Sequence, residues 1–407
     1  MLNTIILAIA LLCGAILLSR RIRDNVAWRA TVTPLASIIG SGFLVVLPLL
    51  GNAVGGYAPI AMMSVVVLAF AVGAAIRFNI KHLEPLVTKS QASLTIVRLD
   101  RAAAIVLGFA YFISVAFYLR LLASFALRGL EIESELLERC VTTAILAFLG
   151  IAGWIRGLSF LERLEEYSVS IKLAIIASLV FGWASHDVTL VGEFDLAASL
   201  PKNLDWWHVV RLMAGVLIVV QGFETSRYLG REYSPELRVV SMRRAQIISA
   251  LIYVVFVSLT VPSFHLLGQE VSETAVIDLS RVVASILPSM LIVAAVMSQF
   301  SAAVADTIGT EGLLAQALGK RWSLPARSGY VLVAVVGIAL VWSSNIFAII
   351  ALASRAFASY YALQCLLAAM VASGGAPDRC RQPGHALGFA ALAILLLVAA
   401  VIAVPAG

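Results

Sequence analysis

Apolar runs of about 20 residues, long enough to span a bilayer as a helix, recur from one end of this chain to the other. That feature removes most fold classes. No water meets the backbone N–H and C=O groups inside lipid, so each run must satisfy them internally, as an α-helix does. Composition agrees: of 407 residues 61% are hydrophobic and 13% charged, with a mean hydropathy of +0.99. A soluble domain carries about a quarter charged residues. The runs predict an all-α integral membrane protein of about 12 transmembrane helices. A leading segment lies at 2–18 and a trailing one near 386–404. Ten more lie near 30–50, 57–76, 102–124, 140–157, 167–185, 207–229, 245–268, 285–306, 328–343 and 345–372. The leading segment is apolar from its second residue and is followed by Arg20 and Arg21 rather than a small-residue cleavage site, so it reads as a retained helix.

Lys and Arg fall mostly in alternate connections, 22 of the 29 in one set and 5 in the other. Positive residues stay on the cytoplasmic side. The bias therefore predicts a multi-pass protein of the cell membrane with both termini outside. The net charge of +6 is accounted for by this topology and calls for no nucleic-acid partner.

Two of the segments are interrupted at matching places. The first reads Thr33-Pro34 and then Gly40-Ser41-Gly42, and the sixth reads Gln221-Gly222-Phe223-Glu224. Measured from Arg211 at 1.5 Å per residue, Gly222 lies about 16 Å deep, close to the bilayer midplane. Glycine also serves close helix packing, and either interruption alone would point there as readily. Both together, five segments apart, point to an inverted repeat with a binding site between its halves. The N–H groups at an unwound helix end suit a carboxylate, and carbonyls left over suit an ammonium or a cation. The expected organisation is a leading helix at 1–25, a core at 26–372 with halves 26–190 and 200–372, and a trailing helix at 373–407.

At these residues the sequence resembles the amino acid–polyamine–organocation permeases. Ile39-Gly-Ser-Gly-Phe-Leu-Val-Val-Leu-Pro48, Ser170-Ile-Lys172, the stretch from Gly222 to Pro235 and the stretch from Gly309 to Pro325 are similar to that family's first, fifth and sixth helices and eighth-helix loop. The resemblance implies a LeuT-type 5+5 inverted repeat and a secondary transporter of an amino-acid-like solute. It implies that backbone amides at Gly40, Ser41 and Gly42 hold a carboxylate. It also implies that carbonyls of Ile218, Val219 and Gln221 receive an amine, with Gly222 at the break and Phe223 beside the pocket. It further implies that the Lys172 amine stands where related symporters hold sodium. The leading helix and the stretch around Ser298 and Ser301 are instead similar to sodium–solute symporters, although Gln299 replaces one hydroxyl. Proton coupling or exchange, sodium coupling, and a receptor that binds without transport all stay open here.

The intramembrane charges are the remaining candidates. Lys172 opens an apolar run too short to span, which places it about 7–8 Å inside a helix starting near Tyr167, within reach of the interface. Arg120 is expected near an outer helix end and Asp306 at a solvated cytoplasmic end. Arg355 lies about 15 Å deep and is expected to pair with Glu224, because an intramembrane charge is costly without a partner. Neither a metal-binding spacing nor a disulfide framework is present among the 4 cysteines and 5 histidines. No catalytic cluster appears, so neither an enzyme nor a cofactor beyond a coupling H+ or Na+ is expected. The expected partners are a small solute and the lipid bilayer.

Overall fold

Polar caps set where several helices begin. Asn25, Ser93, Asp205, Ser234 and Asn345 are extended, and their side-chain oxygens accept N–H groups of the turn that follows. Those donors have no acceptor within the helix. The computed structural model describes the chain except for residues 41, 157, 190–198, 202–203, 231, 268–273, 319–326, 375–381 and 404–407. Among the described residues every regular element is helical. In chain order they are α1 (Leu2–Leu17), α2 (Arg20–Arg23), α3 (Val26–Ile38), α4 (Val46–Val54), α5 (Ala58–Phe78), α6 (Glu84–Thr88), α7 (Leu94–Gly129), α8 (Glu135–Arg156) and α9 (Leu158–Thr189). There follow α10 (Trp206–Gly215), α11 (Thr225–Tyr228), α12 (Pro235–Thr260), α13 (Ala275–Val283), α14 (Leu287–Leu318), α15 (Ser328–Ser343), α16 (Ile346–Ala372) and α17 (Pro383–Ile402).

Among the described residues eight helical stretches are long and apolar enough to cross a membrane, while α1 and α15 are shorter apolar helices. The eight fall short of a dozen because two segments are short and two are interrupted. The first interruption separates α3 from α4. The second lies between α10 and α11, where Leu217–Val220 form a 3-10 turn. Both fall where the glycines stand.

The centre of the bundle is α7, buried almost continuously from Ala110 to Phe125, with α14 packed against it and against α3 and α9. Leading helix α1 lies along α9, where a Cβ on Gly14 would lie 3.7 Å from the Ala174 methyl. The α8–α15 pair meets through Gly150, Gly153 and Gly337, which receive Ala334, Tyr330 and Leu146. Small residues of this kind let membrane helices approach closely.

Three sequence expectations change here. Helix α9 starts at Leu158 rather than near Tyr167, so Lys172 is about 21 Å along it and is wholly buried. Arg120, expected near an outer helix end, is buried nine residues before the last residue of α7 and pairs with Glu135 and Glu138 at 3.3 and 3.2 Å. Asp306 is no solvated terminus, because α14 continues to Leu318 and leaves it mid-helix with no exposure.

Candidate functional site

Where α3 stops at Ile38, its last carbonyls lose their helical partners, and each finds a donor. Leu35 and Ser37 accept the amides of Ile39 and Gly40. The Ala36 carbonyl accepts the Lys172 ammonium at 2.7 Å, Ile38 accepts the Tyr253 hydroxyl at 3.0 Å, and Ile39 accepts the Ser298 hydroxyl at 2.7 Å. Lys172 also donates to Ser301 Oγ at 3.1 Å. Side chains from α9, α12 and α14 thus hold the interruption open, and Lys172, Ser298 and Ser301 converge on one stretch of backbone. No room remains beside it. A Cβ on Gly40 would strike that of Ala302, and one on Gly42 would lie 2.9 Å from a Val219 methyl. Ser41 lies outside the described residues.

The second interruption turns on Gly222, whose φ of +117° suits glycine and whose Cα faces Ser37 so closely that a Cβ would lie 2.5 Å from its hydroxyl. Glu224 folds back on this turn. One carboxylate oxygen accepts the Gly222 amide and the Tyr361 hydroxyl, both at 2.8 Å, and the other faces the Tyr111 hydroxyl at 3.5 Å. Phe223 stacks on the Tyr361 ring with centroids 5.2 Å apart. Gln221 donates to the Tyr118 hydroxyl. The Val219 carbonyl, expected to receive an amine, lies 2.7 Å from the Tyr253 hydroxyl. That hydroxyl has one proton to share with Ile38, so Tyr253 ties the two interruptions together. The Ile218 carbonyl belongs to the same 3-10 turn.

Arg355 and Glu224 do not form the expected pair. Arg355 donates through Nε and Nη2 to the Ala403 carbonyl at 3.2 and 2.6 Å. Ala403 caps α17, and orphan carbonyls at a helix C-terminus attract a cation without any acid present. Asp306 takes the inner position instead, accepting the Ser37 hydroxyl at 3.4 Å and the Ser114 hydroxyl. The residues missed in the sequence are therefore Ser37, Tyr111, Ser114, Tyr118, Tyr253, Asp306 and Tyr361. Tyr111, Ser114 and Tyr118 did leave a signal, since their i, i+3, i+7 spacing puts three hydroxyls on one face of α7.

A cavity of about 1680 Å³ is lined by Tyr111, Thr225 and Ala305 next to these side chains and by Arg23, Arg29 and Lys89 farther out. It opens on the side where the connections are rich in Lys and Arg. Its wall carries an ion-pair lattice. Arg227 of α11 meets Asp100 at 2.8 Å and Glu84 at 3.7 Å, and Arg238 meets Glu84 at 2.7 Å and the Arg227 carbonyl at 2.7 Å. The short helix after the second interruption is thereby tied to α6, α7 and α12. Among the described residues, no group of three or more His, Cys, Asp and Glu side chains could hold a metal ion.

Comparison with known proteins places this geometry. A family described as APC superfamily transporter matches residues 20–403. An uncharacterized protein of Aquifex aeolicus (strain VF5) is 46% identical over 348 residues, 84% of each chain. Two solved structures of single-site variants of the Eremococcus coleocola manganese transporter superpose with a TM-score of 0.58 at 11% identity, over 94% of this chain and 87% of theirs. At that identity the likeness is one of fold.

Proposed function

The chain belongs to the APC superfamily of transporters, and from that premise we propose that it moves a small amino-acid-like solute across the cell membrane by alternating access, coupled to protons or by exchange rather than to sodium. One observation carries the coupling: the Lys172 ammonium donates to the Ala36 carbonyl and the Ser301 hydroxyl, with Ser298 beside it on Ile39. A fixed cation in that acceptor set does the electrostatic work of a bound metal cation.

The remaining geometry supports the solute site. Each interruption falls in the first member of one half of a 5+5 repeat at 26–190 and 200–372, flanked by the leading and trailing helices. The amides of Gly42, Phe43 and Leu44 have no backbone acceptor among the described residues, which suits a solute carboxylate at Gly40, Ser41 and Gly42. Ile218, Val219, Gln221, Gly222 and Phe223 form the facing wall. With the Lys- and Arg-rich side cytoplasmic, both termini lie outside and the cavity faces inward. Tyr111 lines that cavity, and its hydroxyl faces Glu224, which also accepts the Tyr361 hydroxyl. The manganese carried by the structural neighbours does not transfer, since they share the fold at 11% identity.

Uptake of bound solute into proteoliposomes tests the reading. Replacing sodium with choline is expected to leave the rate unchanged, and an inward proton gradient or internal solute is expected to raise it. Lys172→Ala is expected to abolish that response to pH. Strict sodium dependence together with unaltered transport in Lys172→Ala would contradict the coupling.

A further inference from the structure

The coupling reading asks Lys172 to gain and lose a proton, yet that side chain has no exposure at all. Resting on that reading, we infer that Glu165, through the Ser168 hydroxyl, carries the proton between Lys172 and the cavity.

Helix α9 provides the route. Glu165, Ser168 and Lys172 follow one another at steps of three and four residues, so they share one helix face over two turns. All three are buried, with Glu165 6% and Ser168 5% exposed. Long helical side chains lean toward the N-terminal end of their helix, which for Lys172 is the end where Glu165 stands. The two groups that hold the ammonium cannot relay its proton to solvent. The Ala36 carbonyl carries no transferable proton, and Ser301 is itself fully buried.

Glu165 meets the cavity where Lys172 does not. It is part of the cavity lining, as is Ser170, while Lys172 is not among the lining residues. It is also the acid whose charge acts on Lys172. Asp306 of α14 is the rival, since it too feels the charge of Glu165, but it lines no part of the cavity. Of the other titratable groups on the surrounding elements, Tyr111 of α7 and Tyr330 of α15 line the same cavity as phenols. The arginines stay charged and accept no proton. Arg227 and Arg238 are taken up by Asp100 and Glu84, and Arg23 and Arg29 line the cavity farther out. Arg156 at the end of α8 is exposed, and α1 carries no charged residue.

The step is a proton transfer. An N–H bond of the Lys172 ammonium breaks, and the Ser168 oxygen takes that proton while giving its own to the Glu165 carboxylate. An amine and a carboxylic acid remain. The acid then releases the proton to solvent in the cavity, and the return runs backwards. A positioned acid or base of this kind speeds proton transfer by about 10²–10⁴-fold. The change of charge falls on the Ala36 carbonyl that the ammonium holds, which links the proton to the first interruption.

The probe for the test is the solvent proton itself. The chain has 5 lysines, so the full protein, labelled with nitrogen-15 lysine and purified in detergent, gives few ammonium signals. Lys172→Gln identifies the one from Lys172, and NMR then follows its exchange with water. In E165Q that exchange is expected to slow at least about tenfold with the melting temperature unchanged, and in E165D part of the rate is expected to return. D306N is expected to leave the rate as it is. S168A is expected to slow exchange as E165Q does, and it decides the matter if E165Q does not fold. Native exchange in a folded E165Q or S168A, or slowing confined to D306N, would overturn the inference and leave the coupling reading standing. A Lys172 ammonium that exchanges with water at no pH in the native protein would overturn both.

Discussion

Replacing Gly222 with alanine adds one methyl group at the point where the two interruptions come closest. Two costs follow. A φ of +117° is a conformation that L side chains rarely adopt, and holding alanine there costs about 1–3 kcal/mol. The new Cβ would also lie 2.5 Å from Ser37 Oγ, 2.6 Å from Ser37 Cβ and 2.7 Å from the Ile38 amide nitrogen. Backbone stands among those atoms, so α3 and the second interruption must separate, which as overpacking costs about 1–3 kcal/mol more. The expected loss is about 2–6 kcal/mol. Separation also pulls Ser37 from Asp306 and the Gly222 amide from Glu224. Gly388→Ala is the control: on α17 its Cβ would meet nothing within 4 Å, and the helix is expected to gain about 0.5–1 kcal/mol. Thermal unfolding in detergent, followed by tryptophan fluorescence and monodispersity, reads both variants. A Gly222→Ala protein as stable as the control would refute the close approach of the two interruptions.

Three further outcomes follow from named contacts. Arg227→Ala leaves Asp100 without its partner at 2.8 Å and is expected to cost about 3–5 kcal/mol; in unfolding assays the double change with Asp100→Asn should cost less than the sum of the two. Tyr361→Phe removes the donor 2.8 Å from Glu224, worth about 1.5–3 kcal/mol, and a variant of unchanged stability and unchanged uptake would deny that contact a role. In the folded protein a maleimide should label exposed Cys140 and spare buried Cys365; the reverse pattern would contradict the packing of α8 and α16.

The interruptions were legible because glycines break two apolar runs at matching places, Gly40 and Gly42 in the first and Gly222 in the sixth; Lys172 stood out at the head of a run too short to span, although its helix begins at Leu158 rather than near Tyr167. Asp306 was misread for a physical reason. The chain around it, Ala305-Asp306-Thr307, looks like a helix end, and its burial depends on Ser37 and Ser114, which lie 269 and 192 positions away in sequence. For Arg355 the depth argument rightly demanded a partner. That partner is the Ala403 backbone carbonyl, and backbone acceptors at a helix terminus carry no residue type by which to recognise them. The spacing of Tyr111, Ser114 and Tyr118 puts three hydroxyls on one helix face, but only the packing of α7 against α14 and the second interruption gives them Glu224, Asp306 and Gln221 to meet.

The most direct test of the account is uptake of a labelled solute, chosen by thermal shift, into proteoliposomes of the native protein and of Gly42→Leu. At Gly42 even a Cβ would lie 2.9 Å from Val219, so a leucine would fill the junction of the two interruptions. The account predicts concentrative uptake by the native protein and none by Gly42→Leu, with the variant still inserted and monodisperse. Normal affinity and uptake in Gly42→Leu would contradict a solute site between the interrupted helices.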